Sequence, residues 1–170
     1  MLRLVLAVLH LLALGIGLGA IYARARHLMT LSTREPAPER TQERAQERAQ
    51  EHGLARVFQA DNWWAVAAVL WVSTGLWRAF GGTEKASAYY WAQPVFWSKM
   101  GLLGLILLLE LWPMITLIRW RVAQARGRLP ALSQLAGAAR TMARISMLQL
   151  ALTVAMVVAA SMLARGYGIR

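Results

Sequence analysis

Four long apolar runs divide this 170-residue chain and constrain its fold more than any other feature. They cover approximately residues 4–22, 62–80, 94–118 and 143–164. A helix needs about 20 mostly apolar residues to cross a bilayer. The runs therefore predict a single membrane domain over residues 1–170, of the all-α class and built as an integral membrane four-helix bundle.

A cleaved signal peptide is the alternative interpretation of the first run. Cleavage near Ala23 would place Ile21 where a small residue is required, and Arg24 and Arg26 follow at once. Basic residues directly after an apolar run favour retention on the cytoplasmic side. We therefore expect the first run to be a permanent helix.

The composition supports a membrane protein and excludes several other classes. Charged residues make up 16% of the chain, whereas a soluble domain contains about 25%. The absence of cysteine excludes a disulfide framework, Cys-ligated metals and thiol catalysis. The net charge of +11 is concentrated in the gaps between apolar runs, so it disfavours nucleic-acid binding.

The basic residues also predict the orientation. Thirteen Arg residues lie in two gaps, between runs one and two and between runs three and four, with the last two at the edge of run four. Four basic residues, Arg3, Lys85, Arg165 and Arg170, lie in the termini and the middle gap. Cytoplasmic loops carry the excess of Lys and Arg. Both termini are therefore predicted outside, and residues 23–60 are predicted to form a cytoplasmic loop.

That predicted loop contains a low-complexity repeat. It reads Thr41-Gln-Glu-Arg, Ala45-Gln-Glu-Arg and Ala49-Gln-Glu-His. Charges spaced three apart support a helix weakly, but no apolar stripe would hold it against a core. We expect a solvated linker whose deletion leaves stability unchanged, and the alternative is a docking segment for a partner.

Small and polar residues predict which helix faces point inward, because lipid is as apolar as leucine. Each run has one such stripe at helical spacing. The stripes are Leu6, His10, Ala13, Gly17 and Ala20 in the first; Asp61, Trp64, Ala68, Trp71, Gly75 and Arg78 in the second; Lys99 and Glu110 in the third; and Met142, Ser146, Gln149, Thr153, Met156 and Ala160 in the fourth.

By depth, the polar residues form two groups. His10, Arg78 and Lys99 belong to an outer group, with His10 about 10 Å below the boundary. Asp61, Glu110 and Arg144 belong to an inner one. For the inner group we expect Asp61 to be a helix N-cap or a partner of the helix dipole, and Glu110 to pair with Arg144.

The outer group is the candidate site. His10 is either a packed polar residue or a haem ligand or proton carrier, and Lys99 either snorkels or is functional. Because His10 is the only histidine within a run, a bis-His haem is excluded. A single haem would take Met, Lys or water as its sixth ligand, with Met156 and Met100 as candidates by depth, and Arg78 as a cation for an acidic group.

Short motifs in three runs carry a resemblance to a known superfamily. They are Val8-Leu9-His10-Leu11-Leu12, Ser73-Thr74-Gly75 and Phe96-Trp97-Ser98-Lys99. The chain resembles the group that joins HemJ-type protoporphyrinogen oxidases with CopD-like copper-resistance membrane proteins. Further motifs resemble, more closely, an uncharacterised bacterial family of predicted membrane proteins in that group. These are Asn62-Trp63-Trp64, Gly75-Leu76-Trp77-Arg78, and the segment from Trp112-Pro113 to Arg119-Trp120-Arg121.

The resemblance implies a haem- or porphyrin-binding redox protein with haem b as the cofactor. In HemJ-type enzymes a first-helix His and a third-helix Lys are the functional pair. This implies that His10 is a metal ligand and that His10 and Lys99 are catalytic. Cofactor binding would involve His10, Arg78, Lys99 and Met156. The alternative is a non-enzymatic membrane subunit or copper-handling protein whose polar residues are structural.

The expected location is the bacterial inner membrane, with several spans. The lipid bilayer is the expected partner, and haem, a porphyrin or a second copy of the chain are further candidates. No nucleic-acid partner is expected.

The orientation can be tested by labelling single cysteines, since the chain has none of its own. We predict that an impermeant thiol reagent added to intact cells labels Ala86→Cys and leaves Ala131→Cys unlabelled until the membrane is opened. Labelling at position 131 without labelling at position 86 would reverse the orientation.

Overall fold

The computed structural model describes residues 1–33, 40–81, 91, 93–129 and 132–165, of which 40–47, 132–133 and 163–164 are described by backbone alone. Four long helices account for most of them: α1 (Leu2–Ser32), α2 (Arg40–Phe80), α3 (Pro94–Ala125) and α4 (Leu132–Ala164). The all-α class and the four-helix bundle are therefore confirmed. Lys85, Ala86, Tyr89, Tyr90 and Ala131 lie outside the described residues, as do the side chains of the first two repeat units up to position 47.

Three segments are long and apolar enough to cross a membrane: Leu2–Ser32, Pro94–Ala125 and Gln134–Met162. Within the described ranges, α2 does not reach the same hydropathy. Its apolar part is rich in tryptophan and ends near Arg78, and both lower the mean hydropathy. That part nevertheless exposes Val66, Val69 and Leu70, as a lipid-facing helix would. The fourth span therefore remains a prediction.

The helices extend well beyond the predicted spans, so much of the predicted loop at residues 23–60 is helical instead. Helix α1 continues to Ser32, and α2 begins at Arg40. Leu28, Leu54 and Val57 are almost completely buried. An apolar stripe interrupted by arginines continues through this region, and the average hydropathy of the segment conceals it. Among the described side chains of the repeat, Gln50 is buried, whereas Arg48, Ala49, Glu51 and His52 are exposed, and the tolerance of the repeat to deletion stays a prediction.

The core consists of two apolar clusters at different levels of the bundle. Helix α1 packs along α2 and α4, and α4 packs along α3. The first cluster, which we call the basic-end cluster, contains Leu28, Leu31, Leu54, Val57, Leu117, Trp120, Leu135, Ala139, Met142 and Ala143. The second, the mid-bundle cluster, contains Ala13, Ala20, Ile21, Trp64, Trp71, Ile106 and Met156.

Small and polar residues face inward largely as predicted. In α1, Leu6, Ala13, Gly17 and Ala20 are buried, while Gly15 and Gly19 are exposed. In α4, five of the six predicted positions are buried, namely Met142, Ser146, Gln149, Thr153 and Met156. In α2, Trp64, Trp71 and the neighbouring Ala67 are buried. The inward faces can therefore be read from residue size and polarity.

Leu54 provides a test of whether the extended part of α2 belongs to the folded core. Its side chain is 1% exposed in the basic-end cluster. We predict that Leu54→Ala lowers the stability of the detergent-purified protein by about 2–5 kcal/mol, because it leaves a cavity. Val66→Ala, on the exposed face of the same helix, is the control and should change the melting temperature little. Equal effects of the two substitutions would show that residues 40–60 do not pack.

Candidate functional site

A layer of charged and polar side chains lies between the two apolar clusters, and Arg24 is its centre. The Arg24 side chain is fully buried. Nη1 donates hydrogen bonds to Asp61 Oδ1 at 2.9 Å and to Glu110 Oε1 at 2.6 Å. Nη2 donates to Glu110 Oε2 at 2.8 Å and to Gln149 Oε1 at 3.0 Å, and Nε donates to Ser146 Oγ at 3.1 Å. A guanidinium has five N–H donors, so all of them are used.

Arg121 and Gln149 extend this layer. Arg121 Nη2 donates to Asp61 Oδ2 at 2.9 Å and to the Phe58 carbonyl at 3.2 Å. Its guanidinium also lies 4.9 Å from the centre of the Phe58 ring. Gln149 Nε2 donates to Glu110 Oε2 at 2.8 Å and to the Ile106 carbonyl at 3.2 Å. We call Arg24, Asp61, Glu110, Arg121, Ser146 and Gln149 the arginine layer.

The arginine layer is electrically neutral when all its groups are ionised. Two guanidinium groups face two carboxylates, and the carboxylate of Glu110 accepts both terminal nitrogens of Arg24 as a bidentate pair. An unpaired charge at this depth would cost several kcal/mol. Here each carboxylate has a cationic partner, and each of the four helices contributes at least one member.

Two expectations about this region are wrong. Asp61 lies in the middle of α2 rather than at its start, and its carboxylate binds Arg24 and Arg121 instead of capping a helix. Glu110 pairs with Arg24, whereas Arg144 is exposed. Arg24 was assigned to a loop because the apolar run ends at Tyr22. The inward stripe of α1 continues from Ala20 to Arg24, and this four-residue step could have identified it.

The predicted outer residue His10 packs against α2, one to two turns before the end of that helix. Its Nδ1 lies 2.9 Å from Thr74 Oγ1. Its ring stacks on Trp71, with 5.7 Å between centroids and 25° between planes. The Nδ1–Cε1 edge faces Gly75, where an added Cβ would lie 3.1 Å from Cε1. Only glycine therefore admits the imidazole at this position without displacement.

The hydrogen bonds of Thr74 favour one tautomer of His10. Thr74 Oγ1 donates its proton to the Leu70 carbonyl at 2.6 Å. With its proton used in this way the hydroxyl oxygen accepts from His10, which favours the tautomer that carries its proton on Nδ1. The lone pair of the neutral ring is consequently at Nε2. A histidine whose Nδ1–H is held in this way is typical of metal ligation through Nε2.

The other predicted site residues occupy the same half of the bundle. Arg78 follows Thr74 by four residues, so both lie on one face of α2. Lys99 lies in the second turn of α3. In the first turn of that helix, the ring of Phe96 packs against that of Phe80, with 6.1 Å between the ring centroids. Met156 is buried in the mid-bundle cluster together with Trp71. The two helix ends that carry Arg78 and Lys99 are thus brought together.

Two further features define the donor groups of this region. Trp71 is 8% exposed, and its Nε1–H is buried without an acceptor in the part of the chain that the structure describes. Among the same residues, no set of three or more His, Asp or Glu side chains could hold a metal ion. A multi-ligand metal centre finds no support in these ranges.

The arginine layer yields a stability prediction. Arg24→Met should destabilise the detergent-purified protein by about 3–5 kcal/mol, because two carboxylates lose their central cation. Arg26→Met, two residues further along and exposed, is the matched control and should leave the melting temperature nearly unchanged. The double variant Arg24→Met/Glu110→Met should be more stable than Arg24→Met alone. An unchanged melting temperature for Arg24→Met would contradict the role of the layer.

Comparison with known proteins identifies one family. A family model described as "Predicted membrane protein (DUF2214)" matches residues 2–168. No curated protein and no solved structure matches the chain significantly.

Proposed function

The chain belongs to the DUF2214 family of predicted membrane proteins, and we propose that it is a haem- or porphyrin-binding redox protein of the HemJ-like type. The observation that carries this proposal is the orientation of His10. With Nδ1 beside Thr74, Nε2 is the imidazole nitrogen that would coordinate an iron atom in this proposal. Bound haem b would supply one-electron redox chemistry that the side chains alone lack.

The surroundings of His10 fit a porphyrin in two respects. Trp71 stacks on the imidazole, and its buried Nε1–H can donate a hydrogen bond to a bound ligand. Arg78 and Lys99, on adjoining helix ends, supply positive charge for propionate groups. In this proposal His10 and Lys99 are the catalytic pair, and Met156 is the candidate sixth ligand because it packs in the same cluster as Trp71.

A non-enzymatic membrane subunit is the second candidate, and a specific contact favours it. His10 fills the space beside Gly75, stacks on Trp71 and bonds to Thr74. A polar side chain with these three contacts holds two membrane helices together without any ligand. In this alternative, which includes a copper-handling protein, the effect of His10 is on stability alone.

We further propose that the protein lies in the inner membrane of a bacterium with both termini outside. The support is the distribution of exposed arginines. Arg26, Arg56, Arg119, Arg126, Arg128, Arg140 and Arg144 are exposed, and all lie towards the end of the bundle where α1 and α3 finish. A second copy of the chain remains a candidate partner.

The spectrum of the full-length protein distinguishes the two functions. Protein expressed with a haem precursor and purified in detergent should show a Soret band. His10→Ala should abolish the band, and Lys99→Met should weaken it while the bundle stays folded. His52→Ala is the matched control, because His52 is exposed and its Nδ1 lies at hydrogen-bonding distance from the Arg48 carbonyl of its own helix.

The outcomes separate the candidates clearly. A wild-type protein without a chromophore, or a Soret band that His10→Ala leaves intact, would overturn the haem proposal. A lower melting temperature for His10→Ala in a protein that never binds haem would support the structural alternative.

A further inference from the structure

We propose that the groove between α1 and α2 at the basic end binds one anionic phospholipid. The groove has a volume of about 280 Å³. It is lined by Ile16, Gly19, Ala20, Ala23 and His27 of α1 and by Arg56, Gln59, Ala60 and Trp63 of α2. This site is separate from His10, which lies nine residues, or about 13 Å, from Gly19 along the helix.

One half of the groove suits an acyl chain. On α1 it is formed by Ile16, Gly19, Ala20 and Ala23, which are small or apolar. No atom lies within 4 Å of the position that a Cβ on Gly19 would occupy, so the helix surface there is open. The indole of Trp63, 53% exposed, borders the groove on α2. Tryptophan is enriched where lipid chains meet head groups.

The other half suits a phosphate. His27, Arg56 and Gln59 line it, and each can donate a hydrogen bond to a phosphate oxygen. The guanidinium of Arg56 matches two phosphate oxygens at once. The end of the bundle also carries the other exposed arginines named above, so its field favours a head group with net negative charge over a zwitterionic one.

The level of the groove agrees with this assignment. Arg24 follows Leu2 by 22 residues, or about 33 Å of helix, and the hydrocarbon core is about 30 Å thick. His27 and Arg56 are therefore placed at the head-group level, whereas Ile16 and Gly19 lie within the hydrocarbon. The polar half of the groove therefore lies at the level of a lipid head group, and the apolar half lies at the level of its acyl chain.

Binding can be tested with purified full-length protein in detergent to which phosphatidylglycerol or phosphatidylcholine is added. Native mass spectrometry should detect one tightly bound phosphatidylglycerol, and the lipid should raise the melting temperature more than phosphatidylcholine does. Arg56→Gln should weaken phosphatidylglycerol binding about fivefold, the equivalent of about 1 kcal/mol for one arginine near the lipid surface.

Gly19→Leu should abolish this binding by filling the groove, and it should not harm the fold because the position is open. Gly15→Leu is its matched control, since Gly15 is equally open and does not line the groove. Arg119→Gln, exposed on α3, is the control for charge. Equal binding of both lipids, or unchanged binding by Arg56→Gln and Gly19→Leu, would overturn the proposal. If this lipid proposal fails, the expected Soret band and its loss in His10→Ala are unaffected.

Discussion

The bundle depends on how the buried charge of Arg24 is neutralised. Its five donors contact Ser146 and Gln149 of α4, Asp61 of α2 and Glu110 of α3. Sliding any one helix by a turn, about 5.4 Å, would remove a partner from hydrogen-bonding distance. The network therefore defines the vertical register of all four helices. Apolar packing alone could not do this, since leucine contacts are as favourable with lipid as with another helix.

The network also explains how α3 is attached to α1 and α2. The backbone of α3 packs closely along α4. At the level of the arginine layer, α1 and α2 contact α3 through long side chains. Arg24 bridges to Glu110, and Arg121 bridges back to Asp61. Paired in this way, the four charges need no counter-ion from the solvent. The value of such a network lies in specifying one arrangement more than in net stability, because desolvation offsets much of the attraction.

The sequence predicts the fold class and the inward faces, because both depend on local pattern. It locates His10 beside the Ser73-Thr74-Gly75 segment only by depth, and the structure adds the contact between His10 Nδ1 and Thr74. It fails at Arg24 and Asp61 for one reason. Both lie just beyond an apolar run, where hydropathy marks the end of a span although the helix and its inward stripe continue. Which carboxylate meets which arginine depends on helix packing, and no spacing within one helix contains that information.

Arg24 and Arg121 were among the basic residues used to predict the orientation of the protein in the membrane. Both were counted as loop charges, yet one is fully buried and the other is bound to Asp61. Removing them leaves eleven arginines in the two gaps against four basic residues in the termini and the middle gap, so the asymmetry persists. The length of the helices gives a reason for this charge asymmetry. Helix α1 has 31 residues and is therefore about 46 Å long, against about 30 Å of hydrocarbon. The length beyond that thickness corresponds to its last turns, where Leu28 and Leu31 are buried and Arg26 is exposed, as expected where apolar side chains are withdrawn from water and charged ones are solvated.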